Sequence, residues 1–351
     1  MSTAIGTVVV GYGLAGRAFH GPLIRRQPGL HLAGVVARDP AVRAEAVAAW
    51  GVHGYASLDE ALDDPGVRLV VIATPHDSHA ELAVRALGAG KDCVVDKVMA
   101  LSADEADRML AARDRSGRML SVFHNRRWDW DFLTLKRVLA GALIGRPLLF
   151  ESAVCRYAPP RAWRGKARAA GTILHDWGAH LVDQALGLGL GPCRRLTAWL
   201  TPAPWDGVDT GGHGRLVLEF DGGVLFQAET SRVCRLDRPR WWVVGTEGGL
   251  VRYGIDPQED ALRAGDLDRA SEPSEHRATL RRATATGEVV ETTVETVCGS
   301  WDAYYANVAE HLDGRAALAV TAEQAREVVR VLDAAARSAA EHAVVEGPWG
   351  A

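Results

Sequence analysis

Two groups of residues in this chain have the types and spacing that acid–base and charge-stabilising chemistry requires. In the first group Asp176, His180 and Asp183 recur at helical spacing. If residues 176–187 form a helix, the three lie on one face, and a carboxylate beside an imidazole fixes its tautomer for general acid–base catalysis. Asp176 could instead be a helix N-cap and His180 a core histidine, so both readings stay open at this point.

The second group is a single lysine at the end of a predicted strand. Lys97 follows the predicted strand 92–96, where its ammonium could hydrogen-bond a reacting oxygen and stabilise developing negative charge. The alternative is a surface lysine that merely ends the strand. A metal site built from His175, Asp176, His180 and Asp183 is not expected, because nothing supplies a second ligand cluster.

The element that must position this chemistry is a glycine turn near the start of the chain. A β-branched run at 7–10 leads into Gly11-Tyr12-Gly13-Leu14-Ala15-Gly16 and then into a predicted helix, followed by a second apolar run at 31–36. Strand, glycine turn, helix and strand is the context that a dinucleotide fingerprint requires. The turn and the first helical residues, Leu14 and Ala15, are therefore predicted to hold a pyrophosphate at the helix N-terminus.

The end of the second predicted strand indicates which dinucleotide binds. NAD sites place an acidic residue there, and NADP sites place an arginine nearby. Here Ala37 and Arg38 hold that place, while Asp39 precedes Pro40 as a helix N-cap precedes the first helical residue. The sequence favours NADP(H), with Arg38 contacting the 2′-phosphate, and NAD remains possible.

Alternating strands and helices continue to about residue 123 and predict a doubly wound parallel sheet. Thr74, Pro75 and His76 form a loop at the carboxyl end of one strand, which is where such sheets bind ligands. Ser57-x-x-Glu60, Ser78-x-x-Glu81 and Ser102-x-x-Glu105 are predicted capping boxes.

From residue 124 onward the pattern changes to strands with few helices between them. The sequence therefore predicts two domains: a nucleotide-binding domain at 1–123, and an α/β domain at 124–351 with an open, largely antiparallel mixed sheet. Strands are expected at 147–157, 194–201, 214–220, 223–233 and 241–245. A loop with short edge strands is expected at 256–296, and a final helix at about 321–344.

The overall composition excludes several classes of protein. The net charge of −4 argues against a nucleic-acid or anionic membrane surface. The five cysteines are scattered without paired spacing, which favours a reducing compartment over a disulfide framework. No signal peptide or membrane-length apolar run is visible, so a cytoplasmic protein is expected.

The motifs taken together resemble the Gfo/Idh/MocA oxidoreductases over almost the whole chain. They are the glycine turn, Thr74-Pro75 with His79, Gly90-Lys91 with Asp96-Lys97, and Asp176-xxx-His180-xx-Asp183. The runs Phe19-His20-Gly21-Pro22 and His124-Asn125-Arg126-Arg127-Trp128 are most similar to the branch that contains NADP-dependent scyllo-inositol dehydrogenases.

The resemblance implies a role for each matching residue. Lys97 matches the lysine of the family's Glu-Lys-Pro motif, Asp176 its orienting carboxylate and His180 its general acid/base. Asn125, Arg127 and Trp163 are expected to border the substrate, together with the three catalytic residues. The expected cofactor contacts are Gly11, Gly13, Leu14, Ala15, Gly16, Arg38, Thr74, Pro75, His76, His79, Asp96 and Lys97.

One departure from the family pattern concerns Val98, which stands where the family has a proline that often follows a cis bond. Valine very rarely supports a cis peptide bond, so a different backbone geometry is expected at Lys97. Asp96 in place of glutamate shortens the corresponding contact.

The function expected from the resemblance is hydride transfer between a nicotinamide and a secondary alcohol or ketone of a sugar or cyclitol. Alternatives are a ketoreductase acting on a nucleotide-linked or antibiotic sugar, and a non-catalytic dinucleotide sensor. Loops around 157–170 and 202–213 are expected to select the substrate. The resemblance also implies a homodimer or homotetramer formed through the sheet of the second domain.

Overall fold

The chain divides into two compact units in the computed structural model, which describes residues 4–284 and 286–350. The first unit contains the residues up to Asn125 together with 258–270 and 301–326. The second contains 126–257, 271–300 and the residues from Glu327 onward. The outermost residues of the two predicted domains, 1–3 and 351, lie outside the described part.

The first unit is built on a parallel sheet whose strand order is β3-β2-β1-β4-β5-β6. This order, with a reversal beside β1, is that of dinucleotide-binding domains and confirms the predicted doubly wound fold. The central strand β4 is buried at every position, because helices cover both faces of such a sheet. The strands are β1 (Ile5–Val10), β2 (Leu30–Val36), β3 (His53–Tyr55), β4 (Leu69–Ile72), β5 (Asp92–Val95) and β6 (Leu120–Val122).

Helices connect these strands as the capping signals predict. A π-helical segment, Ala15–His20, runs directly into the first α-helix. Ser57 and Ser102 accept hydrogen bonds from the amides of Glu60 and Glu105, so two of the predicted capping boxes are present. The helices are α1 (Gly21–Arg25), α2 (Pro40–Trp50), α3 (Leu58–Asp63), α4 (His79–Gly88) and α5 (Ala103–Ser116).

The second unit is built on a mixed sheet with the order β14-β13-β12-β11-β7-β10-β9-β8-β15 within the described residues. β7 and β10 pair in parallel, and the other neighbours pair antiparallel, as expected. Burial alternates along β9, so one face of the sheet packs on the core. The strands are β7 (Pro147–Cys155), β8 (Cys193–Thr201), β9 (His213–Phe220), β10 (Leu225–Ser231), β11 (Trp241–Gly245), β12 (Gly248–Arg252), β13 (Thr279–Ala283), β14 (Val289–Thr293) and β15 (Val345–Trp349).

The helices of the second unit include α6 (Trp130–Ala140), α7 (Ala167–Ala170) and α8 (Ala179–Leu186). Two later helices, α9 (Gln258–Arg263) and α10 (Asp302–Leu312), belong to the first unit instead. A single boundary at residue 123 therefore does not describe how the chain divides, because the first unit takes in two later segments.

The last helix, α11 (Ala322–Glu341), begins in the first unit and continues in the second. Its predicted start is confirmed, since the Thr321 hydroxyl accepts from the amide of Gln324. Its predicted end is too late, because the chain leaves the helix at Glu341 and adds the edge strand β15. Among the described residues, no helix is both long enough and apolar enough to cross a membrane.

Candidate functional site

The glycine turn after β1 leaves room on one side only. A side chain at Gly11, whose φ is +102°, would place its Cβ 2.6 Å from the carbonyl oxygen of Ala73. A Cβ at Gly16 would lie 2.0 Å from the carbonyl oxygen of Gly11. A Cβ at Gly13 would meet no described atom within 4 Å. The turn is therefore closed on the protein side and open above Gly13, which fits the close approach of a pyrophosphate.

The helix that follows this turn begins where the sequence predicts. Leu14 is its N-cap, Ala15 its first residue, and the amide of Arg17 donates to the carbonyl of Gly13 at 2.9 Å. The amides of the first helical turn have no partner within their own helix and carry a partial positive charge. Residues 11–16 thus fit a bound dinucleotide phosphate.

The carboxyl end of β2 presents positive charge. Arg38 is exposed, and the carboxylate of Asp39 accepts from the amide of Ala41 at 2.8 Å, which confirms the predicted N-cap. The guanidinium of Arg43 donates to the carbonyl of Ala37 at 2.7 Å and so lies over the same turn. Arg43 was not among the residues predicted for this turn, although its position in the first turns of α2 could have suggested it.

The loop after β4 is held together by its own side chains. The hydroxyls of Thr74 and Ser78 lie 2.7 Å apart, and Ser78 also donates to the carbonyl of Pro75 at 2.7 Å. Because the Ser78 hydroxyl serves this loop, it makes no cap hydrogen bond to α4, and the third predicted capping box is wrong. His76 is buried at the same loop.

His79 lies fully buried between two backbone carbonyls. Its Nδ1 is 2.8 Å from the carbonyl oxygen of Val98, and its Nε2 is 3.0 Å from that of Thr74. Burial lowers the pKa of His79, while the nearby carboxylate of Asp96 and the two carbonyls act in the opposite direction. The imidazole ties the loop after β4 to the segment after β5. The predicted role of His79 in cofactor binding stays a prediction.

The segment after β5 carries Asp96 and Lys97, both half-buried. Oδ1 of Asp96 accepts from the amide of Lys97 at 2.9 Å. Burial opposes ionisation of Asp96, but His20, Lys97 and His79 outweigh it and lower its pKa to about 2. The Lys97–Val98 peptide bond is cis, although valine very rarely supports this geometry.

A buried histidine at the end of the π-helical segment, His20, contacts the segment that carries Asp96. Nε2 of His20 lies 3.5 Å from Oδ1 of Asp96, and its Nδ1 lies 2.6 Å from the hydroxyl of Tyr305. Its ring packs against Phe123, with 4.5 Å between the ring centroids. The sequence drew attention to His20 only through the family resemblance, since Tyr305 is 285 residues away.

In the second unit, Asp176 lies in a π-helical turn, Leu174–Gly178, that continues into α8. Its carboxylate forms an ion pair with Arg232, with 2.5 Å between Oδ2 and Nη2. His180 is buried one turn later, and its ring centroid is 5.7 Å from that of Trp177. The helical spacing is confirmed, while the orienting role of Asp176 toward His180 stays a prediction.

The residue before Asp176 is a buried histidine. Nδ1 of His175 accepts from the amide of Thr172 at 3.1 Å, and burial lowers the pKa of the imidazole to about 4. Gly171, with φ +72°, is required beside it, because a Cβ there would lie 2.5 Å from Cγ of His175.

Asn125, Arg127 and Trp163, which are expected to border the substrate, differ in burial and in their partners. Arg127 forms a two-pronged ion pair with buried Asp183, with Nε–Oδ2 and Nη2–Oδ1 distances of 2.9 and 2.6 Å. Asp183 engages those two donors, and the expected contact of Arg127 with a substrate stays a prediction. Asn125 is buried and belongs to the first unit, and Trp163 is half-buried.

A buried polar network holds α8 against the sheet. The guanidinium of Arg126 stacks 3.9 Å above the ring of Trp177, and its backbone carbonyl accepts from Gln184 at 2.9 Å. Arg240 donates to Gln184 at 2.6 Å and pairs with Asp131 at 2.9 Å. Buried charges of this kind are stable only when paired, so the network fixes the helix that carries His180. Sequence reasoning missed it, because its members are distant along the chain.

Within the part of the chain that the structure describes, no group of three histidine, cysteine, aspartate or glutamate side chains is arranged to hold a metal ion. The residues fit an organic cofactor instead, because the glycine turn is open and the end of β2 carries positive charge.

Comparison with known proteins agrees with this fold. Residues 5–124 match the oxidoreductase family model described as an NAD-binding Rossmann fold, and residues 132–251 match the GFO/IDH/MocA C-terminal domain. The chain is 33% identical to scyllo-inositol 2-dehydrogenase (NADP(+)) IolW of Bacillus subtilis, over 95% of this chain and 93% of that one. It is 28% identical to scyllo-inositol 2-dehydrogenase (NAD(+)) of the same organism, over 71% and 74%.

The solved structure of yvaA from Bacillus subtilis has a TM-score of 0.91 to this chain at 30% identity, covering 99% of each chain. The similarity therefore extends through both units. The chain belongs to the Gfo/Idh/MocA family of NAD(P)-dependent oxidoreductases.

Proposed function

We propose that the protein is an NADP(H)-dependent oxidoreductase that transfers a hydride between C4 of the nicotinamide and a secondary alcohol or ketone of a sugar or cyclitol. The observation that carries the proposal is the glycine turn, which is closed beneath Gly11 and Gly16 and open above Gly13. The similarity to an NADP-dependent scyllo-inositol 2-dehydrogenase supports the substrate class.

NADPH, when bound, supplies the hydride, and the side chains of this protein supply and remove the proton. In reduction, His180 donates a proton to the forming alkoxide, and Asp176 holds the imidazole in the productive tautomer. The Lys97 ammonium polarises the carbonyl oxygen and stabilises its developing charge. In oxidation the roles reverse, and His180 accepts the proton.

The preference for NADP(H) rests on the end of β2. Arg38 is exposed there, Arg43 is fixed over the same turn, and Asp39 is engaged as a helix cap rather than directed at a ribose hydroxyl. Guanidinium groups bind phosphate in a two-pronged manner, so these residues favour a 2′-phosphate. The relatives include both an NADP and an NAD enzyme, so the assignment depends on Arg38 itself.

The retention of Lys97, Asp176 and His180 argues against a non-catalytic dinucleotide sensor, which has no need of an acid/base pair.

A second copy of this chain is the partner that we propose for the exposed face of the second sheet. Trp199, Leu225 and Trp242 are 50%, 37% and 40% exposed and share that face by strand register. Exposed apolar side chains that share one face of a sheet support an association site there. Light scattering should give a mass above that of one 37.7 kDa chain, and Trp242→Glu should lower it. A wild-type mass of one chain would contradict the proposal.

The catalytic assignment is tested by His180→Ala. Loss of the acid/base should lower kcat by about 10²–10⁴-fold while the dissociation constant for NADPH stays unchanged. His31→Ala, at an exposed position of β2, is the control and should keep both values. If His180→Ala retains near-wild-type turnover, His180 has no part in the proton transfer.

A further inference from the structure

The segment that links β7 to α7 is strongly basic. Between Arg156 and Arg168 it contains five basic residues, and no acidic residue occurs from Ser152 to His175. Arg161, Lys166 and Arg168 are exposed. Five like charges on 13 consecutive residues repel one another, so an anion bound among them would be stabilised.

Three arginines of this segment have no carboxylate to neutralise them among the described residues. Arg161, Arg164 and Arg168 have no carboxylate partner within 4 Å among the described residues, and Lys166 donates to the carbonyl of Gly207. On the neighbouring strands, by contrast, arginines are paired: Arg194 with Asp221, Arg195 with Glu219 and Arg215 with Glu229. The nearby carboxylate of Asp209 is engaged by the amide of Ala167.

Two arginines without a carboxylate partner at this place, Arg164 and Arg235, lie over aromatic rings. The guanidinium carbon of Arg164 lies 4.5 Å from the ring centroid of Trp163, and that of Arg235 lies 3.5 Å from the centroid of Tyr157. Stacking engages the face of a guanidinium and leaves the N–H groups on its edge able to donate. A guanidinium fixed in this way is prepared for two-pronged binding of phosphate or carboxylate.

The basic segment lies beside the candidate acid/base helix. Arg232 pairs with Asp176 through one guanidinium nitrogen, and its other terminal nitrogen is 3.4 Å from the carbonyl oxygen of Ala158. The amide of Ala158 donates in turn to the carbonyl of Arg232 at 2.9 Å. One arginine thus connects the start of the basic segment to the carboxylate proposed to orient His180.

We propose that the substrate is an anionic sugar derivative, whose phosphate or carboxylate is bound by the basic segment 156–168 together with Arg235. This inference rests on the proposed function and narrows its substrate class from sugars and cyclitols in general to those that carry a negative charge. A sugar phosphate, a nucleotide-diphosphate sugar and a sugar acid share this chemistry.

Matched substrate pairs test the inference directly. Each neutral keto-sugar or polyol is assayed beside its phosphate ester, its nucleotide-diphosphate form and its carboxylate form, with NADPH or NADP⁺. At least one anionic member should show kcat/KM about tenfold or more above its neutral partner. The advantage should fall as ionic strength rises from about 50 to about 500 mM, since salt screens exposed charges. The anionic compound with the highest kcat/KM shows whether the bound group is a phosphate ester, a nucleotide diphosphate or a carboxylate.

Variants separate binding of the anion from catalysis. Arg164→Gln and Arg161→Gln should raise KM for the anionic substrate and leave kcat and the KM of its neutral partner unchanged. Arg281→Gln, at an exposed ion pair on strand β13, is the matched control and should change neither constant. A normal unfolding temperature for each variant excludes misfolding as the cause.

The outcomes distinguish this inference from the proposed function. If kcat/KM is the same for neutral compounds and their anionic partners, the anion site is refuted and the oxidoreductase assignment stands. If NADPH binds but no member of any pair reacts, the proposed function itself fails.

Discussion

The buried imidazole of His175 gives the stability of the protein a definite dependence on pH. Burial lowers its pKa from 6.5 to about 4, and Nδ1 accepts from the amide of Thr172. Protonation would turn that acceptor into a donor facing another donor. The folded state therefore favours the neutral ring, and the unfolded chain binds the proton first as the pH falls.

The size of the effect follows from the two pKa values. The contribution is fully present above about pH 6.5 and is lost as the pH falls toward 4. Between about pH 7.5 and about pH 5 the loss amounts to about 2 kcal/mol, and it reaches about 3 kcal/mol near pH 4. His175→Asn keeps an acceptor for the Thr172 amide but does not titrate, so this part of the pH dependence should disappear in the variant.

The assay is urea unfolding of wild type and His175→Asn at the two pH values, followed by tryptophan fluorescence. Other groups that titrate cancel in the difference between the two proteins. That difference should move by about 2 kcal/mol in favour of the variant at the lower pH. His31→Asn, at an exposed position of β2, serves as the control. If the free energy of unfolding changes equally with pH in wild type and His175→Asn, the pH dependence does not come from His175.

Two further substitutions test the binding and structural assignments. Arg38→Ala should weaken NADPH about 10- to 100-fold by equilibrium fluorescence titration and leave NADH nearly unchanged, since a charged hydrogen bond is worth about 1.5–3 kcal/mol; equal losses for both cofactors would remove Arg38 from the 2′-phosphate site. Asp183→Asn removes the buried carboxylate that pairs with Arg127 and should lower the free energy of unfolding by about 3 kcal/mol. Glu291→Gln, which breaks an exposed pair, should cost no more than about 1 kcal/mol, and similar losses for the two variants would contradict the assigned importance of the buried pair.

The fold of the first unit was predictable because its signals are local. The glycine turn, the apolar strand β4 and the serine caps at Ser57 and Ser102 each depend on residues close together in sequence. Ser78 shows the limit of such signals, since its hydroxyl bonds to Thr74 and Pro75 instead of the helix. A capping pattern does not reveal a competing partner in the preceding loop.

The support around the candidate site was not predictable, because it depends on pairs distant in sequence. Asp176 and Arg232 are 56 residues apart, and His20 and Tyr305 are 285 apart. No periodicity or spacing connects such residues. The same reason accounts for residues 258–270 and 301–326, which fall within the predicted second domain but belong to the first unit.

The most direct test of the central claim is transfer of deuterium from NADPH labelled at C4. The enzyme is incubated with the labelled cofactor and the keto form of the preferred substrate, and the product is analysed by mass spectrometry. With wild type, the product should carry deuterium on the carbon that becomes the secondary alcohol. With His180→Ala, the same labelled product should form much more slowly. Cofactor that binds tightly but never delivers its label to any keto-sugar or keto-cyclitol would contradict the central claim.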